Sequence, residues 1–126
     1  MITILATLCI IILVALAIFQ ISLIAGAPIG NYAWGGSHRV LPSKLKIGSA
    51  ISILIYGLIA IVILAKVGMI TLNIDQNLID VFMWIIAGYF TLGIFMNAIS
   101  RSKKERNLMT PVALVLAIFC IIIAAS

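Results

Sequence analysis

The chain has 126 residues, of which 65% are hydrophobic and only 9% are charged, and its net charge is +5. Because soluble domains average about 25% charged residues, this composition excludes a soluble domain, a disordered tail, a nucleic-acid-binding domain and a secreted disulfide scaffold. The charges leave four uncharged runs, at residues 1–38, 47–65, 81–100 and 107–126, and a membrane span needs about 20 apolar residues. The sequence therefore predicts an all-α integral membrane four-helix bundle, one transmembrane domain over residues 1–126.

The first predicted span covers about residues 3–25, because Gly26 and Pro28 interrupt the first uncharged run. We expect no cleavable signal peptide, since no basic side chain precedes this apolar stretch and the stretch exceeds the usual length of about 7–15 residues. Gln20 lies in the half of the span nearer the first loop, and Cys9 lies in the other half.

The first loop, residues 26–45, is longer than a connection between neighbouring spans requires. Loops longer than about 12–15 residues are usually functional or disordered. This one contains Tyr32 and Trp34 and several aliphatic side chains that can be buried, so we predict that it is ordered. Trp34 is expected to pack at the membrane interface or to fold back over the helix ends.

A candidate binding site lies within this loop. Gly35 and Gly36 precede His38 and Arg39, and backbone amides converging at glycines can bind an anion. The guanidinium of Arg39 can add a two-pronged contact to a carboxylate or phosphate. Two alternatives stay open, a loop that only anchors the chain to anionic headgroups and a docking surface for a protein partner.

Two strings in the loop support a resemblance. They read GAPxG at residues 26–30 and WGGxHRVLP at residues 34–42. In this pattern, and in matches that continue through Asn97, Glu105 and Pro111, the chain resembles a family of small bacterial four-span membrane proteins of unknown function. The resemblance implies a multi-pass protein of the bacterial cytoplasmic (plasma) membrane and implies no activity.

Three more spans are predicted at about residues 46–65, 79–99 and 108–125. Ser43, the pair Asn77 and Asp80, and Thr110 before Pro111 are typical of helix starts. The last span carries a smooth face of small residues, which favours close helix packing. That face consists of Ala113, Ala117, Cys120 and Ala124.

Polar side chains recur in the halves of the spans nearer the first and third loops. They include Gln20, Tyr56, Tyr89 and Asn97. Their atoms could bond one another in the bundle core, or they could line a small polar cavity that opens toward those loops. Both interpretations stay open on the sequence alone.

The basic residues indicate an orientation. Seven lie in the first and third loops, and Lys66 alone lies in the second loop. By the positive-inside rule the first and third loops face the cytoplasm and both termini lie outside. Glu105, the one acidic residue in those two loops, is expected to pair with a basic neighbour or with Arg39.

Several chemistries have little support in the sequence. We expect no ionisable side chain in the interior of a span, which argues against a proton-coupled transporter. The single histidine, His38, cannot build a multi-histidine metal site, and neither a cofactor nor a catalytic residue is predicted. Cys9 and Cys120 are interpreted as packing residues.

The leading functional hypothesis is a non-enzymatic binding or accessory protein. Its basic cytoplasmic loop would bind one of several partners. These are the anionic headgroups of membrane lipids, an anionic ligand, another membrane protein, or a second copy of the chain. The candidate ligand-binding residues are Trp34, His38, Arg39, Gln20 and Asn97. An alternative is a small membrane enzyme that acts on a lipid with His38 and Arg39, and a channel or transporter is third.

Overall fold

Four α-helices make up almost the whole chain in the computed structural model, which describes residues 1–126. They are α1 (Ile2–Ile24), α2 (Ser43–Lys66), α3 (Gln76–Ala98) and α4 (Lys103–Ala125). A helix of 23 residues is about 35 Å long, which covers the hydrocarbon core of a bilayer of about 30 Å. All four helices are apolar enough to span a membrane, so the prediction of an all-α, multi-pass four-helix bundle is confirmed.

The helices run up and down and form a closed ring. The most extensive packing joins α3 to α4 and α1 to α2, and lesser contacts join α1 to α4 and α2 to α3. We call the end with the first and third connections the loop end. The end with both termini and the second connection is the terminal end.

An apolar core fills the centre of the bundle, and a belt of exposed apolar side chains surrounds it. The small face predicted for α4 is buried. Cys9 and Cys120 are free thiols in the same buried cluster, which fits the packing interpretation. Large apolar side chains on the outer faces of the helices, such as Leu54 and Leu92, are 70% and 61% exposed. Lipid tails accommodate such surfaces.

The helices begin at residues other than those expected. Ser43 makes no capping hydrogen bond, since Pro42 holds the cap position of α2. Asp75 caps α3, where its side chain accepts a hydrogen bond from the Asn77 N–H at 3.0 Å. The predicted pair of Asn77 and Asp80 therefore does not start the helix.

The start of α4 differs most from the prediction. The helix begins at Lys103 and not near Thr110, and Ser102 is its cap. Pro111 lies inside the helix, where its ring nitrogen leaves the Asn107 carbonyl without its usual helical donor. The basic run that was expected to form the third loop is thus largely the first turn of α4.

One ion pair ties helices together at the terminal end. The Nζ of Lys66 lies 2.7 Å from Oδ1 of Asp80 and also donates to the backbone oxygen of Ser126 at 3.3 Å. Gln76 donates to the same Asp80 oxygen at 3.3 Å. These bonds join the end of α2 to the start of α3 and the end of α4.

Candidate functional site

The first loop folds into a compact roof over the loop end of the bundle. It contains two short 3-10 turns, at Gly30–Tyr32 and Trp34–Gly36. The Gly30 N–H donates to the Arg39 carbonyl at 2.8 Å, and a Cβ at position 30 would lie 2.0 Å from the His38 carbonyl oxygen. The two halves of the loop cross so closely that only glycine fits at position 30, and the prediction of a structured loop is confirmed.

Trp34 attaches the roof to α2. Its indole Nε1 donates to Ser49 Oγ at 3.3 Å, and a Cβ on Gly48 would lie 2.8 Å from the ring. Trp34 therefore folds back over the helix ends, one of the two arrangements expected. Its φ of 52° lies in the left-handed region, which is rare for a large side chain. The packing of the indole against α2 therefore outweighs the free-energy cost of this backbone conformation.

The other side of the roof is attached to α4. Ser102 Oγ donates to the Asn31 carbonyl, and Gly36 lies so close that a Cβ there would be 2.4 Å from the Ser102 Cβ. The Lys104 Nζ lies 5.7 Å from the centre of the Tyr32 ring, within the range of a cation–π contact. The roof is thus held at both α2 and α4.

A cavity of about 450 Å³ lies beneath this roof. All four helices and the roof contribute to its walls, which are mostly apolar. Three of its lining residues on α3, Tyr89, Leu92 and Met96, are themselves 48%, 61% and 60% exposed. The cavity therefore opens sideways along α3 toward the apolar belt. Its polar lining residues are Gln20, Ser52, Tyr56, Tyr89, Asn97 and Glu105.

The predicted site residues fall into two groups. Gln20, Asn97 and Trp34 come from three different segments and line the same cavity. His38 and Arg39 are exposed on the roof and do not line it. In the crossing of the loop, His38 and Arg39 take part only through their backbone carbonyls.

Glu105 is the site residue that the sequence analysis missed. It lies outside the span predicted at about residues 108–125, yet it is only 8% exposed and lines the cavity. Its backbone N–H donates to Ser102 Oγ at 3.2 Å, as in a capping box. The S-x-x-E spacing of Ser102 and Glu105 is a signal that could have located it.

The carboxyl group of Glu105 has no partner. In a full capping box it would accept from the Ser102 N–H, but that N–H donates to Ser100 Oγ at 3.1 Å. Arg106 donates to the Ser100 carbonyl at 3.0 Å, and the chain has one ion pair, Lys66 with Asp80. The expected pairing of Glu105 with a basic neighbour or Arg39 is therefore absent.

Gln20 presents a second unpaired acceptor to the cavity. The side chain is 7% exposed, and its Oε1 is buried and accepts no hydrogen bond. Such an orphaned polar atom costs about 1–3 kcal/mol. Asn97 differs, because its Nδ2 donates to the Gly93 carbonyl at 2.8 Å within α3.

Chemically, the cavity is an apolar slot with hydrogen-bond acceptors near one end. No group of three or more histidine, cysteine or acidic side chains lies together as a metal site would require. No protein-family model matches the chain, and no curated protein and no solved structure is significantly similar to it. The resemblance noted for the first loop thus stays a prediction.

Proposed function

We propose that this small multi-pass membrane protein is a non-enzymatic lipid-binding protein that holds one membrane lipid in its roofed cavity. The observation that carries the proposal is the sideways opening of the cavity along α3, at Leu92 and Met96. A lipid could enter from the bilayer through this opening without crossing water. The volume of about 450 Å³ falls in the range of ligand pockets, about 300–1,000 Å³, so the cavity would hold the headgroup and part of a chain while the rest of the lipid stays in the bilayer.

The cavity walls have an apolar part and a polar end, as the binding of an amphiphile requires. Leu16, Phe90 and Leu116 line the apolar part and can contact acyl carbons. Gln20 lies four residues before the end of α1, about 6 Å along the helix axis at 1.5 Å per residue. The polar end of the cavity is therefore near the depth at which headgroups begin.

The basic surface at the loop end supports a role for headgroup phosphate. Six of its seven basic residues are exposed, and Lys46 is half-buried. A basic side chain near anionic lipid contributes about 1 kcal/mol. The positive-inside rule favours a cytoplasmic loop end with both termini outside, and the resemblance of the first loop implies a bacterial plasma membrane. The exposed six are Arg39, Lys44, Arg101, Lys103, Lys104 and Arg106.

The alternatives have less support. A catalytic His38 would need to be within hydrogen-bond reach of the bound substrate, whereas His38 is exposed on the roof. A channel or transporter needs a path to the terminal end, and side chains with no exposed surface fill that half of the bundle. These are Ala6, Cys9, Ile63, Met83, Cys120 and Ile123.

Native mass spectrometry of the purified protein tests the proposal. Ser52 lines the cavity, so Ser52→Phe fills part of it, whereas Leu54→Phe on the same helix changes a side chain that is 70% exposed. We expect one bound lipid per chain in the parent and in Leu54→Phe, and at least a fivefold lower occupancy in Ser52→Phe. Equal occupancy in all three proteins would contradict cavity binding.

A further inference from the structure

We propose that the cavity selects its lipid by a primary ammonium group, so that the preferred ligand is a zwitterionic phospholipid with an ethanolamine-type headgroup. This inference rests on the proposed function and specifies the ligand of the same site. Two independent observations carry it. The side chain of Glu105 belongs to a residue that is only 8% exposed and makes no ion pair, and Oε1 of Gln20 is buried without a hydrogen-bond partner. Both face one cavity, and both are acceptors.

No cation of the chain satisfies the buried carboxyl. Lys104 lies over the Tyr32 ring, Arg106 donates to the Ser100 carbonyl, and Lys66 is paired at the other end of the bundle. A buried charge without a counter-charge is strongly unfavourable. We therefore assign the complementary positive charge to the molecule that fills the cavity.

The second acceptor narrows the choice of cation. Gln20 Oε1 needs an N–H or O–H donor. A quaternary ammonium, as in a choline headgroup, carries charge but no N–H, so it leaves this oxygen unpaired. An anionic headgroup would place a negative charge beside Glu105. A primary ammonium supplies both a positive charge and up to three N–H donors.

The phosphate of the same headgroup has a cation close by. Tyr32 lines the cavity, and the Lys104 Nζ lies 5.7 Å from its ring centre. A positive charge thus stands at the edge of the cavity while the negative charge stands inside it.

A headgroup competition tests the inference. The delipidated protein in mild detergent is offered equal amounts of dioleoyl lipids with ethanolamine, choline or glycerol headgroups, and native mass spectrometry counts each complex. We expect at least a tenfold preference for ethanolamine over choline and over glycerol in the parent. In Glu105→Gln, which keeps the Ser102 cap, we expect the preference to fall below threefold while some lipid still binds.

Gln20→Leu provides a second variant, because it removes the other acceptor without touching α4. It should lower the ethanolamine-to-choline ratio at least threefold, and Leu54→Phe, at a position that is 70% exposed on the outer face of α2, should leave the ratio unchanged. Soluble phosphoethanolamine should not displace the lipid, since the apolar wall contributes to binding, and displacement would overturn the assignment to a lipid.

The outcomes separate the two proposals. Equal binding of ethanolamine and choline lipids by the parent, with occupancy still lost in Ser52→Phe, overturns the ammonium assignment and leaves the lipid site standing. A preference for the glycerol headgroup that persists in Glu105→Gln also overturns it, in favour of the basic surface alone. If Ser52→Phe has no effect on any lipid, the proposed function itself fails.

Discussion

Single glycines determine where the roof can lie. Gly35 and Gly36 both have a φ of 73°, in the region that glycine occupies more readily than other residues. They differ in surroundings, since a Cβ at Gly35 would meet nothing within 4 Å whereas one at Gly36 would lie 2.4 Å from the Ser102 Cβ. Substitutions at these two glycines therefore distinguish the cost of backbone strain from the cost of a steric clash.

We predict that Gly36→Ala destabilises the protein more than Gly35→Ala. Both substitutions carry the left-handed backbone cost of about 1–2 kcal/mol, and only Gly36→Ala adds the clash with Ser102, about 1–3 kcal/mol more. Thermal unfolding in detergent compares the two variants. Equal losses of stability would mean that the roof does not pack against the start of α4.

At the scale of elements, the contact of Trp34 with Gly48 joins the roof to α2. We predict that Gly48→Ala displaces the indole, because the added methyl would lie 2.8 Å from the ring. Gly57→Ala is the matched control on the same helix, since a Cβ there meets nothing within 4 Å. Trp34 fluorescence in a Trp84→Phe background measures the displacement.

The expected result is a shifted Trp34 emission and a higher exposure to an aqueous quencher in Gly48→Ala. Gly57→Ala should match the parent in emission and should be no less stable, because alanine favours a helix over glycine by about 1 kcal/mol. An unchanged emission in Gly48→Ala would show that Trp34 does not rest on α2.

The helices themselves could be predicted from the sequence, because uncharged runs of about 20 residues have few alternatives to spanning a membrane. The start of α4 could not be predicted in this way, because two signals conflict at residues 103–106. The charged composition of this segment indicates a loop, whereas the S-x-x-E pattern of Ser102 and Glu105 indicates the first turn of a helix. Gln20 and Asn97 were assigned to a shared polar region from helical spacing. The position of Trp34 depends on a contact between residues 34 and 48, which spacing does not reveal.

At the scale of the whole molecule, one face is basic and the opposite end contains the ion pair of Lys66 and Asp80. Only the loop end carries a cavity with unpaired acceptors, and the terminal half is a closely packed apolar core. The molecule is thus asymmetric across the membrane in both charge and packing. Its orientation would decide which leaflet supplies a lipid to the proposed site.

We predict that a cysteine at position 2 or 125 reacts with an impermeant thiol reagent in intact cells. By the positive-inside rule, the seven basic residues at the loop end predict that this end faces the cytoplasm, and the buried Cys9 and Cys120 should stay unlabelled. A cysteine in place of the exposed Ser37 should react only after the membrane is opened. Labelling at position 37 in intact cells, with positions 2 and 125 protected, would mean that the termini face the cytoplasm.

The most direct test of the roofed lipid site is the quenching of Trp34, which lines the cavity, by a phospholipid brominated on its acyl chain. In the Trp84→Phe protein, delipidated in detergent, Trp34 is the sole tryptophan, since the chain has 2. The account predicts quenching that saturates at one lipid per chain and is largely lost when Ser52→Phe is added. Quenching that rises in proportion to the lipid content of the micelle, and is the same with and without Ser52→Phe, would contradict it.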